Sequence, residues 1–365
     1  MLRGPIAVIV SGFPRRSETF VLADLLALDA AGLLAAIFAT KDGEPGGAQP
    51  GADRLASRVQ VLAGDVDAQA LAVVDRLRGA PIAGVHAYFA HRPAEVAAAA
   101  AGRLGVPFGF SVHARDARKI PRSALWARAA RAACVIACNP DVAAELDGSG
   151  AAVHLVPHGV DLERFRPRPA AASVELRMLA VGRLVEKKGF DVLLAAAARL
   201  EPPWRLRIVG EGPERTALVA HAEELGVADR VTFCGSATHD DLPDEYSGAD
   251  IVVVPSVVDR SGDRDGVPNV LLEAMSSGRA VVASDVGAIA SAITPGATAL
   301  LVPPGDSGAL ARARRAGRRC VVSRGAWQCG APGRRAQLRR RAVHAAACFG
   351  GEERVCVRRR ASATS

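Results

Sequence analysis

No run of 18 apolar residues occurs anywhere in the 365-residue chain, which excludes an ordinary membrane-spanning helix. The apolar stretch near the N-terminus, Ile6–Val10, is closed by Ser11-Gly12. That is too short for the core of a signal peptide, so the sequence predicts a cytoplasmic protein. A G-x-G-x-x-G phrase is missing, and with it the fingerprint of a nicotinamide dehydrogenase. Neither CxxC nor a paired-His motif accompanies the seven cysteines, so neither a zinc site nor a disulfide framework is expected. Cys134, Cys138 and Cys234 lie in apolar, strand-like surroundings and read as small core residues. The other four, Cys320, Cys329, Cys348 and Cys356, all fall in the last 55 residues.

Charge is spread just as unevenly. The overall balance is +8, yet residues 1–165 carry 17 Lys+Arg against 16 Asp+Glu, and residues 166–310 carry 14 against 20. Residues 311–365 carry 15 Arg, no Lys and 2 Glu. The basic character therefore belongs to the C-terminal stretch alone and is not a nucleic-acid signal for the whole protein.

What is present is alternation. Short apolar runs suited to buried parallel strands alternate with helical patterns, and at this length two α/β domains are the natural prior. Strands are expected at Pro5–Val10, Leu34–Ala39, Val59–Leu62, Gly84–His91, Val106–Val112, Cys134–Ala137 and Val153–Val156. The stretch Arg166–Ala172 is rich in proline and small residues and reads as an interdomain linker. The alternation resumes with strands at Arg177–Val181, Leu206–Val209, Val231–Ser236, Asp250–Ser256 and Ala280–Ala283. The predicted division is a first domain over 1–165, a linker over 166–176, a second domain over 177–310 and a tail from 311.

Asp265–Gly287 is the most informative stretch. It reads as loop, helix, strand and loop, with Pro268 at the helix start and Gly278 at its end. Amides around Asn269, Val270 and Leu271 at the helix start suit an anion. Two carboxylates, Asp265 and Glu273, bracket them. A phosphate between two acids points to a ligand with hydroxyl groups on both sides of a phosphate, such as a sugar nucleotide. Upstream, Gly182–Gly189 (GRLVEKKG) places Arg183 and Lys188 in a basic loop, whose forked and point-charge donors together suit a diphosphate. Gly210–Pro213 (GEGP) is a second loop permitting close approach of the backbone, with Gly212 within it. In the first half, Gly12 follows the first strand, Ser17 is a candidate N-cap, and Glu18 opens the next helix. His113 stands at a strand exit beside Asp116, the edge where open α/β sheets bind ligands.

The phrase Gly262–Met275 (GDRDGVPNVLLEAM), with its acid, seven residues and Glu, resembles the donor-site signature of retaining family 4 glycosyltransferases, in the exopolysaccharide and colanic-acid branch. Phe13–Phe20 (FPRRSETF), Gly109–Asp116 (GFSVHARD) and Pro157–Phe165 (PHGVDLERF) resemble further phrases of that family. The resemblance spans roughly residues 5–310. It implies a GT-B fold of two facing Rossmann-like domains, and transfer of a hexose, with retention, from a nucleotide sugar to a glycan or lipid-linked acceptor. It further implies that Arg183, Lys188 and the amides near Asn269 stabilise the leaving diphosphate, that Glu273 holds the ribose and Asp265 the donor sugar. His113 would contact the sugar from the other domain, and the Gly12–Ser17–Glu18 loop would lie on the acceptor side. No metal or other cofactor is expected, because the basic residues replace a cation. Peripheral contact with the inner face of a membrane and a role in exopolysaccharide synthesis go with the same resemblance. Two alternatives stay open: a sugar-nucleotide epimerase of the same architecture, and a catalytically dead nucleotide-sugar binder.

The tail does not continue the pattern. After Leu310 the sequence turns to Arg, Ala, Gly and Cys with no sustained apolar period. It has no Lys, and only Trp327 and Phe349 as aromatics, which is a poor lipid anchor. A shifted reading frame from about residue 311, giving a disordered or marginally helical segment, is the expectation. Translating the other two frames downstream of codon 306 checks it: an amphipathic helix followed by a terminal helix supports the shift, and stop codons in both frames reject it.

Overall fold

The structure is a computed structural model and describes residues 4–15, 18–44, 49, 51–169, 173–294 and 299–313. Its chain divides into two compact units, with the first ending at Pro157 and the second beginning at His158. Ser17 and the tail from residue 314 lie outside the described residues, and with them the N-cap and reading-frame expectations.

Among the described residues the first unit holds seven strands: β1 (Ile6–Val10), β2 (Leu34–Ala39), β3 (Val59–Val61), β4 (Gly84–Tyr88), β5 (Phe108–Val112), β6 (Cys134–Ala137) and β7 (Val153–Leu155). The helices described with them are α1 (Thr19–Ala30), α2 (Asp53–Ala56), α3 (Val66–Leu77), α4 (Arg92–Leu104), α5 (Ala114–Lys119), α6 (Arg122–Arg131) and α7 (Pro140–Glu145). The sheet order is β3-β2-β1-β4-β5-β6-β7, and every pairing is parallel. β1, β4 and β5 are buried along their whole length. That explains why they read as unbroken apolar runs: helices cover both faces of the sheet. Helix starts are fixed locally. Asp65 accepts from the Ala68 amide at 2.9 Å ahead of α3, and Asn139 accepts from the Val142 amide at 3.0 Å ahead of α7.

The second unit repeats the plan with β8 (Leu176–Val181), β9 (Trp204–Val209), β10 (Val231–Gly235), β11 (Ile251–Val254), β12 (Ala280–Ser284) and β13 (Leu300–Val302). Between them run α8 (Phe190–Ala197), α9 (Arg215–Glu224), α10 (Leu242–Gly248) and α11 (Asn269–Ser276). Its parallel order is β10-β9-β8-β11-β12-β13. Residues 307–313 are helical. Leu310 packs into the core with Met178, Leu193 and Trp204.

Each sheet reverses its strand order once, between β1 and β4 in the first unit and between β8 and β11 in the second. The crevice outside the carboxyl ends of two such strands is where open α/β sheets place ligands. The chain leaves those four strands at Ser11, Phe89, Gly182 and Pro255.

The domain boundary differs from the expected one. The sequence places residues to 165 in the first domain and a tether over 166–176, but Val160 and Phe165 are buried in the core of the second unit. The Phe165 ring stands edge-on to His239 and Tyr246, at 5.1 and 5.8 Å. Arg164 pairs with Asp240, Arg168 pairs with Asp244, and the buried Arg279 donates to the Arg168 carbonyl. Residues 164–168 therefore contact the second unit, while residues 170–172 of the proline-rich stretch lie outside the described residues.

Candidate functional site

At the exit of β8 the chain turns through a short 3-10 helix, Glu186–Lys188, which points two lysines at the loop leaving β11. Lys188 Nζ lies 2.7 Å from Asp265 Oδ2, and Lys187 Nζ lies 3.0 Å from Asp263 and 3.7 Å from Asp265 Oδ1. Ser256, buried at the end of β11, donates to Asp265 Oδ2 at 2.7 Å. Burial pushes the Asp265 carboxyl up, but Lys188, Lys187 and the Ser256 hydroxyl outweigh it and hold the group below the usual carboxylate range. The loop is also braced from within: Asp259 accepts from the amides of Ser261 and Asp263 at 2.9 Å.

Glu273 belongs to a separate cluster one helix further on. It is buried in α11 and receives the Tyr246 hydroxyl at 2.8 Å on Oε2, while His239 Nε2 lies 3.7 Å from Oε1. Burial, then the charge of Glu273 and its hydrogen bond, push the Tyr246 phenol well above its usual value. The phenol therefore stays a donor, which leaves Oε1 as the oxygen that a diol could use. Arg183 is exposed and has no ion-pair partner among the described residues. Of the three helix-start amides expected to face an anion, Leu271 N–H already donates to the Pro268 carbonyl at 3.1 Å, which corrects that expectation for Leu271. Asn269 and Val270 remain at the first turn of α11.

Gly212 has a packing role as well. A Cβ there would stand 2.2 Å from the Leu184 carbonyl oxygen, so the loop after β9 rests directly on the basic loop after β8. Gly12 is analogous, with a Cβ position 2.4 Å from the Asp42 carbonyl oxygen. In both places the close approach is between two stretches of this chain.

The first unit carries its own cluster where β1, β4 and β5 end. His113 is buried against the rings of Phe20 and Phe89, with centroids at 4.6 and 5.0 Å. Phe89 holds φ at +83°, the one non-glycine positive φ among the described residues. Such a conformation persists only where its surroundings enforce it. His91 stacks on Phe89 and lies 3.5 Å from the Ser11 hydroxyl. Two carboxyls complete the cluster. Glu18 pairs with Arg15 at 3.1 Å, yet burial raises it to about 7 against that pull. Asp116 accepts from the Ala90 amide at 2.5 Å, and burial raises it as well to about 7. The structure thus gathers Gly12, Glu18 and His113 at one sheet edge. In the second unit, at the end of its own sheet where β8, β9 and β11 finish, it gathers Arg183, Lys188, Gly212, Asp265 and the start of α11. Lys187, Ser256, His239 and Tyr246 were missed; only the doubled lysine of GRLVEKKG carried a signal, since the other three enter through the loop and helix that fold beside them. Among the described residues no group of three His, Cys, Asp or Glu is arranged to hold a metal ion.

Residues 21–164 match the model of glycosyltransferase family 4, and residues 175–316 match that of glycosyl transferases group 1. The chain belongs to these glycosyltransferases. A D-inositol 3-phosphate glycosyltransferase of Nocardia farcinica is 39% identical over 168 residues, covering 41% of this chain and 36% of the relative. WcaL of Escherichia coli, a glycosyltransferase assigned to colanic acid biosynthesis, is 35% identical over 158 residues, covering 42% of this chain and 39% of the relative. The matched part thus spans less than two-fifths of the length of these relatives. In three dimensions the chain is similar to Anabaena Alr3699/HepE, solved in complex with UDP and glucose, with a TM-score of 0.75 and 17% identity over 93% of this chain and 98% of the other. Two parallel-sheet α/β domains of GT-B type are therefore its fold.

Proposed function

We propose that this protein is a retaining glycosyltransferase that moves a hexose from a nucleotide sugar to a glycan or lipid-linked acceptor in exopolysaccharide synthesis. The observation that carries the reading is the Lys188–Asp265–Ser256 cluster at the switch point of the second sheet. It sets a cation for phosphate beside an ionised acceptor for sugar hydroxyls. Glu273, with Oε2 held by Tyr246, is assigned to the ribose through Oε1. Arg183, Lys188 and the first amides of α11 place positive potential where charge develops as the bond from the anomeric carbon to the diphosphate oxygen breaks. Because Lys188 is engaged by Asp265, the diphosphate must draw it away on binding. His113, Gly12 and Glu18 are assigned to the reacting sugar and the acceptor. No metal is assigned a role.

The relatives' names support the choice of class, and the Anabaena structure, with UDP and glucose bound, supports a nucleotide-sugar donor. The test is thermal shift against a panel of nucleotide sugars, followed by product analysis with acceptor glycans. Transfer with retained anomeric configuration supports the reading. Release of an altered nucleotide sugar without acceptor indicates an epimerase, and binding without turnover a dead binder; either result overturns it.

A further inference from the structure

The two adjacent lysines of GRLVEKKG do not touch the same group in the same way. Among the described residues Lys188 makes one ion pair, to Asp265 Oδ2 at 2.7 Å. Lys187 bridges two carboxylates, Asp263 at 3.0 Å and Asp265 Oδ1 at 3.7 Å. Its backbone is tied to the same loop, because the Val257 amide donates to the Lys187 carbonyl at 2.9 Å. Glu186, next to it, receives the Arg260 amide at 3.2 Å. Lys187 is thus fastened to the loop by main chain and side chain together, whereas Lys188 holds it through one ion pair.

Resting on the nucleotide-sugar reading above, we propose that the two lysines divide their work. Lys188 is the cation surrendered to the diphosphate, and Lys187 is a positioning residue that stays with Asp263 and Asp265, keeping Asp265 ionised and aimed at the donor sugar. The groups around the Asp265 carboxyl make this division necessary. Lys187 and Lys188 face it from the turn after β8, Ser256 from the end of β11, and Asp263 from its own loop, with Asp259 and Glu186 further along the same loops. Asp265 is almost wholly buried, at 7% exposure. Once a diphosphate takes Lys188, a carboxylate so buried, with Asp263 beside it, would take up a proton unless a second cation remained. A protonated Asp265 carries an O–H donor on one oxygen and accepts less well from sugar hydroxyls.

The experiment uses the full chain and its Lys187→Met, Lys187→Arg, Lys188→Met and Asp265→Asn variants. Affinities for a UDP- and GDP-sugar panel and for the free nucleoside diphosphates are measured between pH 5 and 8. In the parent, sugar-nucleotide affinity is expected to hold down to pH 5. Lys187→Met is expected to bind sugar nucleotides about tenfold more weakly at pH 5 than the parent, to recover toward it at pH 8, and to keep its affinity for free nucleoside diphosphate. Lys187→Arg should restore the parental pH profile. Lys188→Met should weaken both ligand types about ten- to a hundredfold at every pH. Equal losses on both ligands for Lys187→Met would make Lys187 a phosphate contact and overturn the division, as would an unchanged pH profile. A ligand-independent readout separates this idea from the reading beneath it. The Asp265 carboxyl, followed by carbon NMR with Asp265→Asn as the assignment control, should titrate higher in Lys187→Met than in the parent. A parent that binds no nucleotide sugar rejects the reading of the site, whereas a carboxyl titration unmoved by Lys187→Met rejects the positioning role.

Discussion

On the proposed clamp, replacing Arg183 or Lys188 by alanine would remove one charge-assisted contact to a diphosphate. A contact of this kind is worth about 1.5–3 kcal/mol. Nucleotide-sugar affinity should fall about ten- to a hundredfold in each variant, measured by calorimetry, and parental affinity in both would remove the clamp. The two acids should separate by ligand. Glu273→Gln should impair free nucleotide and nucleotide sugar alike, while Asp265→Asn should impair the sugar-bearing ligand far more; equal losses throughout reject the assignment. Tyr246→Phe leaves buried Glu273 Oε2 without its 2.8 Å donor, a loss of about 1–3 kcal/mol in the second unit by urea unfolding. In the first unit, Glu18 and Asp116 reach about 7 from ordinary values of 4.5 and 3.8. The folded state therefore retains protons that the unfolded chain has lost. Their contribution to stability is full below about pH 4 and disappears as pH rises through 7. The first unit should melt about 5 °C lower at pH 8 than at pH 5, and Glu18→Gln or Asp116→Asn should flatten that slope. A melting temperature that rises over this range would contradict the burial of the two carboxyls.

At the scale of elements, the second site depends on loops resting on one another. Gly212→Ala would place a methyl group 2.2 Å from the Leu184 carbonyl and push the β9 loop off the β8 loop that carries Arg183 and Lys188. Nucleotide-sugar affinity should drop at least about tenfold although no ligand contact is deleted, with about 1–3 kcal/mol of stability lost as well. Parental affinity in this variant would show that the two loops are independent. Most elements were legible beforehand, because buried parallel strands are apolar throughout and Pro268 marks a helix start. α5 was not, since six residues reading ARDARK carry no apolar stripe. Its start directly after His113 depends on Asp116 reaching the Ala90 amide across the sheet edge.

At the scale of the whole molecule, the chain changes unit at Pro157 rather than at the proline-rich stretch. Phe165 is 1% exposed within the second core. Phe165→Ala should therefore lower the melting of the second unit by about 3–5 kcal/mol of stability while the first unit melts as before. A loss confined to the first unit would restore the expected boundary.

Composition and periodicity by themselves determined two α/β domains, because alternating apolar strands and helical patterns admit few other packings. Motif spacing determined which stretches carry acid, cation and glycine. Chain order could not reveal the strand order within each sheet, since hydrogen-bonding neighbours such as β1 and β4, or β8 and β11, are far apart in sequence. That order alone places Gly182–Gly189 beside Asp265, and Ser11 beside Phe89. Tertiary structure also decided that Lys188 is engaged by Asp265, that Glu273 shares its oxygens with Tyr246 and His239, and that Lys187 bridges two carboxylates. The partners of a buried charge are whatever the fold brings within about 4 Å of it, and no local pattern in the sequence encodes that distance.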